Sequence, residues 1–370
     1  MKIGFEAKRV FHNKTGLGNY SRDLVRLLSR LYPKNDYFLY NPKASFKNLF
    51  VANNVTIFEK QPTTRFYKKF YNLWRQKGII SDLKKDGITI FHGLSGEIPR
   101  GLKKNNIKSV VTIHDLIFLK FPHLYSFFDR KIHFYKFKKA AKEANCIIAI
   151  SEQTKQDIID YLKINPSKIK VIYQGCHAIF KEVASKEQLQ QTKIKFQLPD
   201  KFILNVGTIE ERKNIFLAIK AILGTNMTLV IVGKQTSYSS KIKSFIANNK
   251  MEHQVLFLNQ LTLQELATIY QLASVFVYPS IYEGFGIPII EALYSKTPVI
   301  TTNSGVFPEA GGPFSIYIDP TNEKELQNKL LFLWNNVDFC TEIAQKGYEF
   351  VQKFNDEIIA SQLMEVYKNL

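Results

Sequence analysis

The chain has 370 residues, of which 45% are hydrophobic and 22% charged. That composition is globular and excludes wholesale disorder, and the length fits two domains better than one. The formal net charge of +19 comes from the first half: residues 1–180 hold 33 Lys/Arg against 13 Asp/Glu, and residues 181–370 hold 18 against 19. The first half is therefore either a lysine-rich solvated surface or a face turned to something anionic, such as a phospholipid surface, a lipid phosphate or a nucleic acid. No apolar run approaches the ~18 residues of a membrane-spanning helix, and Lys8 and Arg9 arrive before a secretory apolar segment could form. Three scattered cysteines, Cys146, Cys176 and Cys340, offer no pair at metal-ligand spacing and point to a reduced, cytosolic protein without structural zinc.

In chain order, a strand at Lys2–Phe5 is followed by Gly16-Leu17-Gly18-Asn19-Tyr20 and a helix Ser21–Leu31, with Leu24, Leu27, Leu28 and Leu31 on one stripe. Gly16 and Gly18 either form a plain turn or let backbone approach a ligand at a helix start. A third glycine and an acidic residue after Tyr40 are missing, which argues against a dinucleotide fingerprint. Strands follow at Tyr37–Tyr40, Val55–Phe58, Ile88–Phe91, Val110–Ile113, Cys146–Ile150 and Lys170–Tyr173. His114, at the end of Val110–Ile113, either binds a ligand or pairs with Asp115 to shape the loop. The polar stretch Lys181–Lys195 marks the break between domains.

The rhythm restarts with strands at Phe202–Val206, Thr228–Val232, Val255–Leu258, Val275–Tyr278 and Pro298–Thr301, and a capping box, Thr262 to Glu265, opens the helix before Val275. After Phe202–Val206 comes Gly207-Thr208-Ile209-Glu210-Glu211-Arg212-Lys213-Asn214. Arg212 and Lys213 there either clamp phosphate or form an exposed basic pair beside two glutamates. After Val275–Tyr278 comes a loop with Glu283, Gly284, Phe285, Gly286, Ile287 and Pro288, and Glu291 lies one turn inside the helix that follows. Pro288 suits a first helical turn, and the helix start aims N–H groups and its positive dipole end at an anion. Strands alternating with helices, in two series, predict an α/β protein of two doubly wound domains facing a central cleft, with ligands outside the carboxyl ends of the strands.

The pair Glu283 and Glu291, with Gly-Phe-Gly-x-Pro between, resembles the signature of retaining glycosyltransferases of family four, which have the GT-B fold. The resemblance runs along nearly the whole chain through Gly-x-Gly-Asn-Tyr, Ile-His-Asp-Leu, Ser151-Glu152, Tyr173-Gln174-Gly175, Gly-Thr-Ile-Glu-x-Arg-Lys-Asn, Pro308-Glu309, Ile318-Asp319-Pro320 and the closing helix Phe354–Tyr367. The Arg-Lys-Asn version is similar to bacterial mannosyltransferases of polysaccharide assembly.

The resemblance implies four segments: an acceptor-binding Rossmann-like domain over 1–180, a linker over 181–198, a nucleotide-sugar-binding domain over 199–352, and a helix over 353–370 that crosses back. It implies a hexosyltransferase that moves a sugar, mannose from GDP-mannose as the best guess, to a lipid-linked or oligosaccharide acceptor in polysaccharide or lipopolysaccharide synthesis. Arg212 and Lys213 would bind the diphosphate, Glu291 the ribose, and Glu283 and His114 the transferred sugar. The backbone of Phe285, Gly286 and Ile287 would touch sugar and phosphate, Gly16 and Gly18 would approach the diphosphate, and the Gly207 and Gly233 loops would line the nucleotide. The family retains anomeric configuration through a front-face reaction and generally needs no metal. No cofactor is expected beyond the nucleotide-sugar as donor, and no Asp-x-Asp pair offers a metal site.

Segments Lys60–Lys85 and Lys120–Lys142 interleave lysines with aromatics. They are either core aromatics with a solvated lysine face or basic-aromatic helices for peripheral attachment at the cytoplasmic face of the inner membrane. Two other classes stay open: a GT-B epimerase or phosphorylase, and a nucleic-acid-binding protein, which would explain the charge but not the Glu283–Glu291 loop.

Overall fold

A computed structural model describes residues 1–44, 49–51 and 54–370. They form two compact units, Met1–Gln174 with Asp356–Leu370, and Gly175–Asn355.

The first unit is built on β1 (Lys2–Glu6), β2 (Asp36–Tyr40), β3 (Ile57–Lys60), β4 (Ile90–Gly93), β5 (Lys108–Ile113), β6 (Cys146–Ala149) and β7 (Ile169–Val171). All pairs are parallel, in the order β3-β2-β1-β4-β5-β6-β7. Such strands read as continuous apolar runs because both faces are covered. In β5, Val110 packs into one core with Ile3, Phe5, Leu24 and Leu28, while Val111 and Ile113 pack into another with Ala141, Ile147 and Ile158. The last helix, Asp356–Lys368, adds Ile359, Ala360, Leu363, Met364 and Tyr367 to the first of these cores. The Tyr367 hydroxyl lies 2.6 Å from His92 Nδ1, and His92 Nε2 lies 2.7 Å from Thr112 Oγ1, so this buried imidazole is satisfied on both sides.

The second unit holds β8 (Ile203–Val206), β9 (Leu229–Val232), β10 (Val255–Leu258), β11 (Val275–Tyr278), β12 (Val299–Thr302) and β13 (Ile316–Ile318), parallel in the order β10-β9-β8-β11-β12-β13. In each sheet one strand pairs on both sides across the change of direction: β1 with β2 and β4, β8 with β9 and β11.

Three local features differ from the sequence expectations. The stretch 181–198, expected to be a linker, is helical over Lys186–Lys195, opens with a Ser185–Gln188 capping box and belongs to the second unit. Residues 175–180 also cluster there, and Phe180 packs edge to face on Tyr270 at 5.7 Å. Strand β13 was not expected: at three residues, with Ile316 and Tyr317 only half-buried, it carries little periodic signal.

Candidate active site

The second unit gathers most of the candidate residues at the β8–β11 switch point, outside the strands' carboxyl ends. After β8 the chain turns through Gly207, and a short 3-10 turn, Glu211–Lys213, presents Arg212 and Lys213. After β11 the loop presents Glu283. Lys213 Nζ lies 2.5 Å from Glu283 Oε1 and 2.7 Å from the Tyr278 hydroxyl, which itself donates to the same carboxylate oxygen at 3.1 Å. Arg212 Nη1 lies 2.8 Å from Glu283 Oε1 and also donates to the Tyr282 carbonyl, while Nη2 pairs with Glu210 at 2.5 Å.

All three central residues are largely buried, between 14% and 15% exposed. Burial alone would raise the Glu283 carboxyl, but Lys213 and Arg212 together hold it below its ordinary value. Burial likewise opposes the Lys213 charge, and Tyr278 and Glu283 overcome it and raise its pKa. The result is a pair of cations fixed in place before any anion arrives.

The helix Ile287–Tyr294 begins beside this loop, with Gly286 at its N-cap at φ 112°, a left-handed conformation that favours glycine. Pro288 lies in its first turn, and Ile289, Ile290 and Leu293 are buried. The Ile287 backbone begins that helix, and Phe285 is buried edge to face on Phe354 at 5.3 Å, so its ring serves packing. Glu291 is half-buried and accepts from the Tyr270 hydroxyl at 2.8 Å; desolvation raises its carboxyl to about 7. Gly233 follows β9, and a Cβ there would stand 1.8 Å from the Gly207 carbonyl oxygen, so the two backbones meet closely.

In the first unit the picture differs at Gly16 and Gly18. They are not ahead of the helix: it runs Gly16–Leu31, and both lie in its first turn. A Cβ on Gly18 would stand 2.0 Å from the Asn13 carbonyl oxygen, so this glycine answers to packing within the loop, whereas a Cβ on Gly16 would meet open space. His114 is buried after β5. Its Nε2 lies 2.8 Å from the Leu94 carbonyl and its Nδ1 2.8 Å from the Gln174 amide. A carbonyl only accepts, so Nε2 carries the proton and Nδ1 accepts from Gln174. Burial lowers the His114 pKa to about 4, and Tyr20 packs edge-on against the ring at 4.7 Å. Asp115 instead accepts from the Ile117 N–H at 3.1 Å.

Sequence reasoning missed Tyr278, Tyr270 and Gln174 as partners of the acidic residues and the histidine. Tyr278 closes a strand, the one available signal; Tyr270 and Gln174 come from distant segments. The basic-aromatic segments prove mixed. Trp74 is core, whereas Phe66, Phe70, Phe127, Phe128 and Tyr135 are exposed. Among the described residues no helix is long and apolar enough to cross a membrane.

The chain matches two family models: Glycosyltransferase Family 4 over residues 14–178 and Glycosyl transferases group 1 over residues 186–350. It is 30% identical over 248 residues to the O-antigen chain mannosyltransferase RfbU of Salmonella typhimurium, covering 66% of this chain and 65% of that protein. It is 25% identical over its full length to the full length of O-antigen chain mannosyltransferase B of Escherichia coli. Anabaena HepE, solved in complex with UDP-glucose, superposes with a TM-score of 0.77 at 17% identity over 100% of both chains. With the two family matches together spanning nearly the whole chain, on two parallel-sheet Rossmann-like units, the protein belongs to the group 1 glycosyl transferases of glycosyltransferase family 4 and is a GT-B glycosyltransferase.

Proposed function

We propose that this glycosyltransferase moves a hexosyl group, mannose from GDP-mannose, onto a lipid-linked or glycan acceptor during cell-surface polysaccharide synthesis. It does so with retention of configuration and without a metal ion, at the cytoplasmic face of the membrane. The observation that carries this reading is the Arg212–Lys213–Glu283 cluster beside the start of helix Ile287–Tyr294. The names of the two O-antigen mannosyltransferases support the sugar and the pathway. The UDP-glucose bound to HepE supports a nucleotide-sugar as the class of donor.

Departure of the glycosyl group leaves negative charge on the diphosphate. Arg212 and Lys213 offer charge-assisted hydrogen bonds to it, and the helix start offers N–H groups and a dipole. These groups are already oriented by Glu283, Glu210 and Tyr278, so little reorganisation is needed as charge develops. Tyr270 occupies Glu291 Oε2, and Oε1 is the oxygen that would accept from the ribose hydroxyls. Glu283 and the backbone of Phe285–Ile287 would hold the sugar.

A thermal-shift panel of nucleoside diphosphates and their sugars tests this directly. GDP and GDP-mannose are expected to raise the melting temperature more than the other bases do. A panel in which no nucleoside diphosphate stabilises the chain would defeat the donor site, and preference for another base would defeat GDP-mannose alone.

A further inference from the structure

The Arg212–Lys213–Glu283 cluster stands at the carboxyl ends of β8 and β11. A separate cavity of about 520 Å³ opens at the amino ends of the same sheet. Lys201 lines it two residues before β8, Ser274 just before β11, and Pro298 just before β12. Strands β8 and β11 are four residues each, so about 13 Å of strand separates this cavity from the cluster. None of the residues assigned to the donor lines it.

Most of its wall is apolar. It forms where helix Glu323–Asn335 gives way to helix Val337–Val351. Leu333 and Ala344 are buried there, whereas Trp334 is half-buried and Val337 is 59% exposed. An indole and an isopropyl group are thus left partly in water. The Cys340 thiol donates to the Leu333 carbonyl at 3.2 Å and the Thr341 hydroxyl to the Val337 carbonyl at 3.0 Å. Both side chains line the cavity, and both spend their donors on backbone.

Two cations stand beside this wall. Lys201 Nζ lies 3.5 Å from the Trp334 carbonyl, and Lys296 Nζ lies 4.8 Å from the centre of the Tyr348 ring. Among the described residues neither lysine has an ion-pair partner. Asp200 also lines the cavity, but it is paired with Lys193. A neutral hydrocarbon would cover the wall and leave the lysines unpaired; inorganic phosphate would pair the lysines and leave the wall wet. An anion with an apolar body uses both features. Trp334 favours an aromatic ring as that body, because aromatic pairs gain more than their area burial.

We infer that this cavity is a second ligand site, for a small monocarboxylate with an aromatic ring: the carboxylate pairs with Lys201 and Lys296, and the ring lies against Trp334 and Val337. The site stands apart from the proposed transfer reaction and does not rest on it.

Isothermal titration of the full chain with 4-phenylbutyrate, its neutral amide 4-phenylbutanamide, and butyrate tests it. Wild type is expected to bind 4-phenylbutyrate more tightly than either of the others, and Lys213→Ala to match wild type. Lys201→Gln/Lys296→Gln, at two exposed positions, is expected to bind 4-phenylbutyrate roughly tenfold or more weakly and the amide as before. Val337→Asp, also at an exposed position, is expected to weaken 4-phenylbutyrate by setting a carboxylate on the wall. Tryptophan emission gives the place: the chain has two tryptophans, and Trp74 is 1% exposed in the core of the first unit. The emission change on adding 4-phenylbutyrate is therefore expected to vanish in Trp334→Phe. No binding in wild type, equal affinity for acid and amide, or unchanged affinity in the lysine double variant would each overturn the proposal. So would binding lost in Lys213→Ala, which would put the probe in the donor site, or an emission change that survives in Trp334→Phe.

Discussion

The Lys213 ammonium stands 2.5 Å from the Glu283 carboxylate, although 70 positions separate the two residues. That contact joins the loop after β8 to the loop after β11. Lys213→Ala leaves Glu283 with Arg212 and Tyr278 as partners, so the expected loss of stability is about 1–3 kcal/mol, read by urea unfolding. Nucleoside diphosphate affinity is expected to fall roughly tenfold or more, because one fixed cation is gone. Wild-type affinity in the variant would remove Lys213 from the site.

Glu291 makes stability depend on pH with an unusual sign. Its carboxyl titrates at about 7 when folded, above the ordinary 4.5. The folded state therefore holds a proton that the unfolded state has lost, and stability falls as pH rises from 4.5 through 7. Glu291→Gln keeps the uncharged state and is expected to be more stable than wild type at pH 8, by on the order of 2–3 kcal/mol at most. The same variant is expected to bind nucleotide more weakly. Identical unfolding curves at pH 5 and pH 8 for both proteins would contradict this account.

His114 runs the other way. Its pKa is lowered to about 4 from 6.5, so the stability it contributes is present above 6.5 and lost as pH falls through 4. Gln174→Ala strips the Nδ1 partner and is expected to cost about 1–3 kcal/mol near neutral pH. Gln174→Glu sets a carboxylate beside Nδ1 and is expected to raise the imidazole pKa, which NMR titration of the ring would follow. An unmoved pKa in Gln174→Glu would place Gln174 away from the ring in solution.

The last helix belongs to the core of the first unit. Leu363 is 1% exposed there, so Leu363→Ala is expected to destabilise by about 2–5 kcal/mol. A cost within surface-substitution range would mean that this helix does not pack on that core.

Phe128, at 76% exposure, is the most exposed of the aromatics in the two basic segments. Flotation with anionic vesicles is expected to carry the chain upward, and Phe127→Ser/Phe128→Ser to reduce it. Equal flotation with neutral and anionic vesicles would count against attachment through this surface.

Much of the fold was legible in the residues. The β-branched runs at Val110–Ile113 and Val275–Tyr278 became β5 and β11 because a strand covered on both faces must be apolar throughout, a local property. Capping at Thr262 and the proline-started helix after Gly286 are likewise local signals. What escaped were features whose local signal was weak or misleading: the three-residue β13, the polar helix Lys186–Lys195 and the earlier start at Gly16.

Sequence by itself determined the two αβ series, the excess of positive charge in the first half and the identity of the groups at the strand ends, because strand and helix periods and side-chain chemistry are written residue by residue. Tertiary structure alone decided which partners those groups have: Lys213 with Glu283 and Tyr278, Glu291 with Tyr270, His114 with Gln174. Hydrogen bonding and desolvation act through space, and segments tens of residues apart set the charge and tautomer of each side chain only once the sheets have formed.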